Sequence, residues 1–321
     1  MEITGNVFDQ NASYSGAGGG AIQTWGTGST ISGNTFTGNQ AHSYVASAKG
    51  GAVLVRAGSE NPVSGSVETI IQGNVFDGNS VADESSSTAR SGGAICVYGN
   101  GLTISAQITA NEFTGNHAPD FGGAVSMDNV DEATVVNNLF VGNEASGDLG
   151  GGAIFAQSTD AVVVNNTFVE NYVGNGTWPS ITPAAYGGAV HIRASDDVEL
   201  VNNIFCDNLA LYGNGVAATA EAAGSISYCD AHPGTQYSDQ YYASLNPTLA
   251  PGTGLLYTDP LLCGSEYWLA SSPNPSPCRG TGQNPSANPI VPTSDKDGVD
   301  RPGSNGTTDM GAHENDNRQC P

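Results

Sequence analysis

Phe140-Val141-Gly142-Asn143, then Gly151-Gly152-Ala153-Ile154-Phe155-Ala156-Gln157, then Val162-Val163-Val164-Asn165-Asn166-Thr167-Phe168 is the stretch that decides the fold. Apolar residues alternate over short runs and β-branched types dominate, which predicts strands. Gly and Asn interrupt every segment before a helical period can build up. Both signatures in this stretch return along the chain. Gly-Gly-Ala followed by Ile or Val begins at Gly19, Gly50, Gly92, Gly122, Gly151 and Gly187. Asn-x-Phe-x-x-Asn surrounds Phe8, Phe36, Phe76, Phe113, Phe140, Phe168 and Phe205. Units returning every 27 to 42 residues stack into a solenoid. Two or three short strands per closed turn make each unit one rung of a parallel β-helix, with rungs ~4.8 Å apart.

The constant positions have structural work to do. The Phe column predicts rings stacked inside the tube, each contributing roughly 1.5–3 kcal/mol on burial. The Asn columns, one before and one after Phe, predict side-chain amides that bond from rung to rung, with Asn in the left-handed conformation a corner needs. The Gly pair gives a bend that no Cβ could share. None of these residues is assigned to a site.

Length and charge narrow the function. The 321 residues carry a net charge of -23 with only eight Lys and Arg, which disfavours nucleic acid and anionic membrane surfaces as partners. No apolar run reaches the ~18 residues of a membrane helix. There is no signal-peptide pattern. Met1 leads straight into a repeat at Ile3, so upstream rungs are expected. Four of the six Cys (Cys229, Cys263, Cys278 and Cys320) lie where the repeats have faded. A cap with little core gains from disulfides, and Cys263–Cys278 and Cys206–Cys229 are the expected pairs. The domain plan is therefore a β-helix of about seven to eight rungs over 1–229, then an irregular disulfide-containing cap over 230–321 covering the open end of the tube.

Gly-Gly-Ala-Ile alternating with Phe-x-x-Asn resembles the repeats of polymorphic outer-membrane proteins and of secreted bacterial proteins with the pectate-lyase-like right-handed β-helix. Later in the chain come Thr258-Asp259-Pro260-Leu261-Leu262, Tyr267-Trp268-Leu269, Asp297-Gly298-Val299-Asp300-Arg301-Pro302 and Thr308-Asp309-Met310-Gly311-Ala312-His313-Glu314. These resemble the C-terminal segment of choice-of-anchor Q proteins. Both resemblances imply an exported or bacterial cell-surface β-helix.

Insertions at 42–49, 81–91 and 173–186 each precede a Gly pair, so they are expected to leave the solenoid at one corner and wall a working face. On the strand after each Gly pair, alternation turns two columns outward. The first is Gln23, Leu54, Cys96, Ser126, Phe155 and His191. The second is Trp25, Arg56, Tyr98, Asp128, Gln157 and Arg193. A constant scaffold with a varied outer strip is the pattern of a binding surface. Flat aromatic faces and planar hydrogen bonders suit a polysaccharide or surface glycan, and Trp178 on the third insertion joins them.

A catalytic alternative rests on Arg193 with His191. Acids stack across rungs at the next turn: Glu132, Asp160 and Asp197, with Asp131 and Asp196 beside them. Such a stack could take Ca²⁺. A Ca²⁺-dependent polysaccharide lyase needs a cation to acidify the C5 proton of a uronate and a base such as Arg, and β-helix lyases resemble that arrangement. Asp295, Asp297 and Asp300 about Gly298 read as a second, short calcium loop. His42, His117, His232 and His313 show no metal-ligand spacing.

Overall fold

The computed structural model describes residues 1–14, 18–25, 28–42, 48–58, 67–82, 90–100, 103–147, 149–174, 185–195, 197–232, 241–243, 248–271 and 274–314. Each rung contributes to four parallel sheets. Strands after the Gly pair run from Ile22–Trp25 to Tyr241–Ala243 and form an eight-stranded Gly sheet. The next strand of each rung joins a nine-stranded Val sheet, Glu2–Thr4 to Thr248–Pro251. The Phe strands form an eight-stranded Phe sheet, Val7–Asp9 to Asp230–His232. Two-residue strands make a six-stranded short sheet, Ala12–Ser13 to Tyr172–Val173.

Register is locked by identical residues. Phe8, Phe36, Phe76, Phe113, Phe140, Phe168 and Phe205 stack with centroids 4.7–5.0 Å apart and planes within 8°. Beside them run two asparagine ladders. In one, the amide of Asn143 bonds Asn171 Oδ1 at 2.8 Å and the Phe113 carbonyl at 3.0 Å. In the other, Asn111, Asn138 and Asn166 repeat the pattern. Insertions lengthen the step between ladder partners from 28 to 40 residues without shifting the register. The left-handed residue is the one before each ladder Asn, not the ladder Asn itself: Gly33 and Gly73, then Asn137, Asn165 and Asn202, all have positive φ. The Gly pair behaves as its sequence demands. Gly92 has φ +67°, and a Cβ on Gly93 would stand 2.0 Å from the Gly123 carbonyl oxygen.

Three expectations about the C-terminal part need correcting. The parallel strands of the solenoid continue past residue 229 as far as Pro251, adding a partial rung. The segment beyond does not simply close the end of the tube. It folds back along the corner between the Val and Phe sheets, where outward positions have turned apolar. Val291 and Ile290 cover Val136, Val164 and Val201. Gly311 lies so close to Thr167 and Ile204 that a Cβ would meet them at 2.6–2.7 Å. Asn137, Asn165 and Asn202 bind cap carbonyls through their amides. Lastly, neither expected disulfide forms, because Cys206, Cys229 and Cys278 are free buried thiols. Cys229 takes the next place in an asparagine ladder, where the Asn203 amide meets its sulfur. Cys206 faces the opposite way, into the cap with Leu269 and Met310. Cys278 donates to the buried Asp230 carboxylate at 3.0 Å.

Candidate functional site: the outer face of the Gly sheet

The pairing register places Trp25, Arg56, Tyr98, Asp128, Gln157 and Arg193 directly beside one another in successive strands. All six are half-buried. At ~4.8 Å per strand the strip is about 24 Å long. Its members are held by their neighbours. The Arg56 guanidinium lies 4.7 Å from the Trp25 ring centroid, a cation–π contact that ties the two side chains together. Lys49, which the column pattern did not include, reaches from the preceding corner and sets its ammonium 5.0 Å from the Tyr98 ring. Asp128 Oδ1 accepts from Asn129 at 2.8 Å and from Gln157 at 3.3 Å, and Arg193 donates to Gln157 Oε1 at 2.7 Å. Burial raises the Asp128 carboxyl above the ordinary carboxylate range, with Lys49 pulling the other way.

The first outward column is a different matter. Leu54, Cys96, Ser126, Phe155 and His191 are all buried. The left-handed first glycine turns the chain so that the corner before each Gly pair folds over these positions. Ser91 approaches Cys96, Phe121 packs on Phe155, and Tyr186 on His191. Lys49, Ser91, Phe121 and Gly150 bridge to one another as a further parallel column. The described flanks of the three insertions therefore converge at one corner, as expected, and they cover the first column. His191 is 1% exposed, with Nε2 2.8 Å from Thr219 Oγ1 and Nδ1 on the Leu149 carbonyl. Burial pushes its pKa down to about 4. It cannot meet a polymer on the face, and Arg193 is engaged with Gln157. Trp178 and Asp196 lie outside the described residues.

The acid stack lies on another face. Glu132, Asp160, Asp197 and Glu199 line a groove of about 280 Å³ on the Val sheet with Thr134 and Val162. Asp160 accepts the Asp197 amide at 3.2 Å, and Asp131 the Ile104 amide at 2.6 Å, so each bonds to the backbone of a neighbouring rung. Among the described residues, the single group of three potential ligands within 4.8 Å of one another is elsewhere, in the cap: Asp295, Asp297 and His313. Asp300 is not part of it.

A family described as a right-handed β-helix region matches residues 20–249. The chain belongs to that family. No curated protein and no solved structure matches this β-helix chain. The matched span begins after the strands Glu2–Thr4, Val7–Asp9 and Ala12–Ser13 and ends within the last partial rung, so the family covers the rest of the solenoid and leaves the folded-back cap outside it.

Proposed function

We propose that this right-handed β-helix is an exported, cell-surface or secreted module that binds an extended glycan along the outer face of its Gly sheet without turning it over. The observation that carries the reading is the half-buried strip from Trp25 to Arg193, whose rings and planar polar groups are aligned by register and held by one another. Pre-ordered aromatic and guanidinium faces bind sugar rings at little entropic cost. The resemblance of the cap to choice-of-anchor Q segments supports a surface location.

Lys49, Arg56 and Arg193 bring three of the chain's eight Lys and Arg to this strip and its edge, which keeps acidic glycans among the ligands to test. The lyase alternative is weaker. His191 is sealed, Arg193 is hydrogen-bonded, and the acid stack faces a different side. A hydrolase needs two carboxylates on one face, and the strip holds only Asp128. A screen of neutral and acidic glycans, with and without chelator, tests both readings. Retention without turnover, weakened in Trp25→Ala and Tyr98→Ala, is the expected result. Ultraviolet-absorbing unsaturated product that vanishes in Arg193→Ala would establish the lyase instead. Retention unchanged in both aromatic variants would refute the strip as the binding face.

A further inference from the structure

In the cap, the turn 295–299 packs against the segment 308–314. Lys296 N–H bonds the Ala312 carbonyl, and Asp295 Oδ2 accepts the Glu314 amide at 2.8 Å. This brings His313 to the two acids that flank Lys296. One ligand atom from each of Asp295, Asp297 and His313 falls within 4.8 Å of the others. We propose that these three side chains bind a borderline divalent ion of the Zn²⁺ class, which clasps the turn to the terminal segment of the cap.

The donor set decides the metal. His313 replaces the oxygen that Asp300 would have supplied, leaving one imidazole nitrogen and two carboxylates. Ca²⁺ takes six to eight oxygens, whereas Zn²⁺ and its neighbours accept mixed nitrogen and oxygen sets with three protein ligands and water. His313 Nδ1 stands 3.3 Å from Asp297 Oδ2. That is about the separation of two ligands on a tetrahedral ion with bonds of ~2.0–2.1 Å. Asp295 is 4% exposed and already accepts three backbone N–H groups, two on Oδ1 and one on Oδ2. A carboxylate has about four acceptor sites, so Oδ2 keeps one for an ion. Asp297 is about a third exposed and opens the site to solvent. Lys296, on the same turn, is bonded to Glu112 and stands 4.0 Å from Asp297 Oδ1, whereas His313 meets Oδ2; the buried Arg301 pairs with Glu314.

Thermal unfolding of the full chain after chelation, with ZnCl₂ or CaCl₂ returned singly, tests the clasp. Zinc about a hundred-fold above its Kd should raise Tm by several degrees in wild type and in Asp300→Asn. The rise should be absent in His313→Gln, with Asp297→Asn as the second variant should the first fold poorly. Co²⁺ should give visible absorption bands with wild type that are lost in either variant. An equal zinc response in wild type and both variants, a response to calcium alone, or no response to either ion would overturn the proposal.

Discussion

Replacing Asn143 by Ala should cost about 3–6 kcal/mol, although no charge, ring or strand is touched. Asn143 Oδ1 is the acceptor for both the backbone N–H of Asn116, at 3.0 Å, and its side-chain amide, at 2.9 Å. Its own amide feeds the Phe113 carbonyl and Asn171 Oδ1. All of these groups are buried. The substitution strands two buried donors at about 1–3 kcal/mol each and half-empties two acceptors. The same change at the exposed end of the ladder is the internal control. In Asn11→Ala, Asn39 Oδ1 still holds the residue-11 backbone N–H, at 3.0 Å in the wild type, so the loss should stay below about 1 kcal/mol. Urea denaturation followed by circular dichroism gives the two costs. Because a repeat array need not unfold in one step, hydrogen exchange at the Asn116 amide supplies the local readout and should accelerate in Asn143→Ala alone. A cost within about 1 kcal/mol of the Asn11 variant, or unchanged exchange at Asn116, would refute the ladder as an energetic element.

Two buried groups should shape the pH dependence in opposite directions. The folded pKa of His191 is lowered from 6.5 to about 4, so unfolding takes up a proton in that window, and acidification through it costs about 3 kcal/mol at ~1.4 per unit. The carboxyl of Glu314 is raised from 4.5 to about 7 by burial and by Asp309, so its contribution falls by about 3 kcal/mol as pH rises from 4.5 to 7. Glu314→Gln should therefore make stability fall more steeply on acidification from pH 6.5 to 4.5 than in wild type, as measured by chemical denaturation at several pH values. The thiols of Cys96 and Cys229 are 0% exposed and raised in pKa by burial. A thiol reagent should leave both unlabelled in the native protein and modify both in denaturant, read by peptide mass; native labelling of Cys229 would contradict its place in the ladder.

Much of this was legible one rung at a time. A residue type repeated at every turn can have only one environment, so Phe36 to Phe205 had to stack and the asparagines had to pair. The second outward column was legible for the same reason: alternation fixed its direction, and the Gly pair fixed its register. The first column misled, because alternation says which way His191 and Phe155 leave the sheet and nothing of what lies beyond them. The signal that could have warned was their chemistry, since Leu54, Cys96 and Phe155 are poor residues for a wet surface. Lys49 was missed because it enters the strip from the corner, outside the strand whose period was being read.

The sequence by itself determined the tube, its register and the identity of the strip from Trp25 to Arg193, because those follow from period and from contacts between neighbouring rungs. Only the tertiary structure decided where the cap goes and what it assembles. Lys296 meets Glu112 across 184 positions, Arg301 meets Asn137 across 164, and His313 meets Asp297 where two irregular segments cross. No period links such pairs, and the apolar surface that the cap covers, Val136, Val164 and Val201 with Val169, Ile204 and Cys206, exists only after the rungs have stacked.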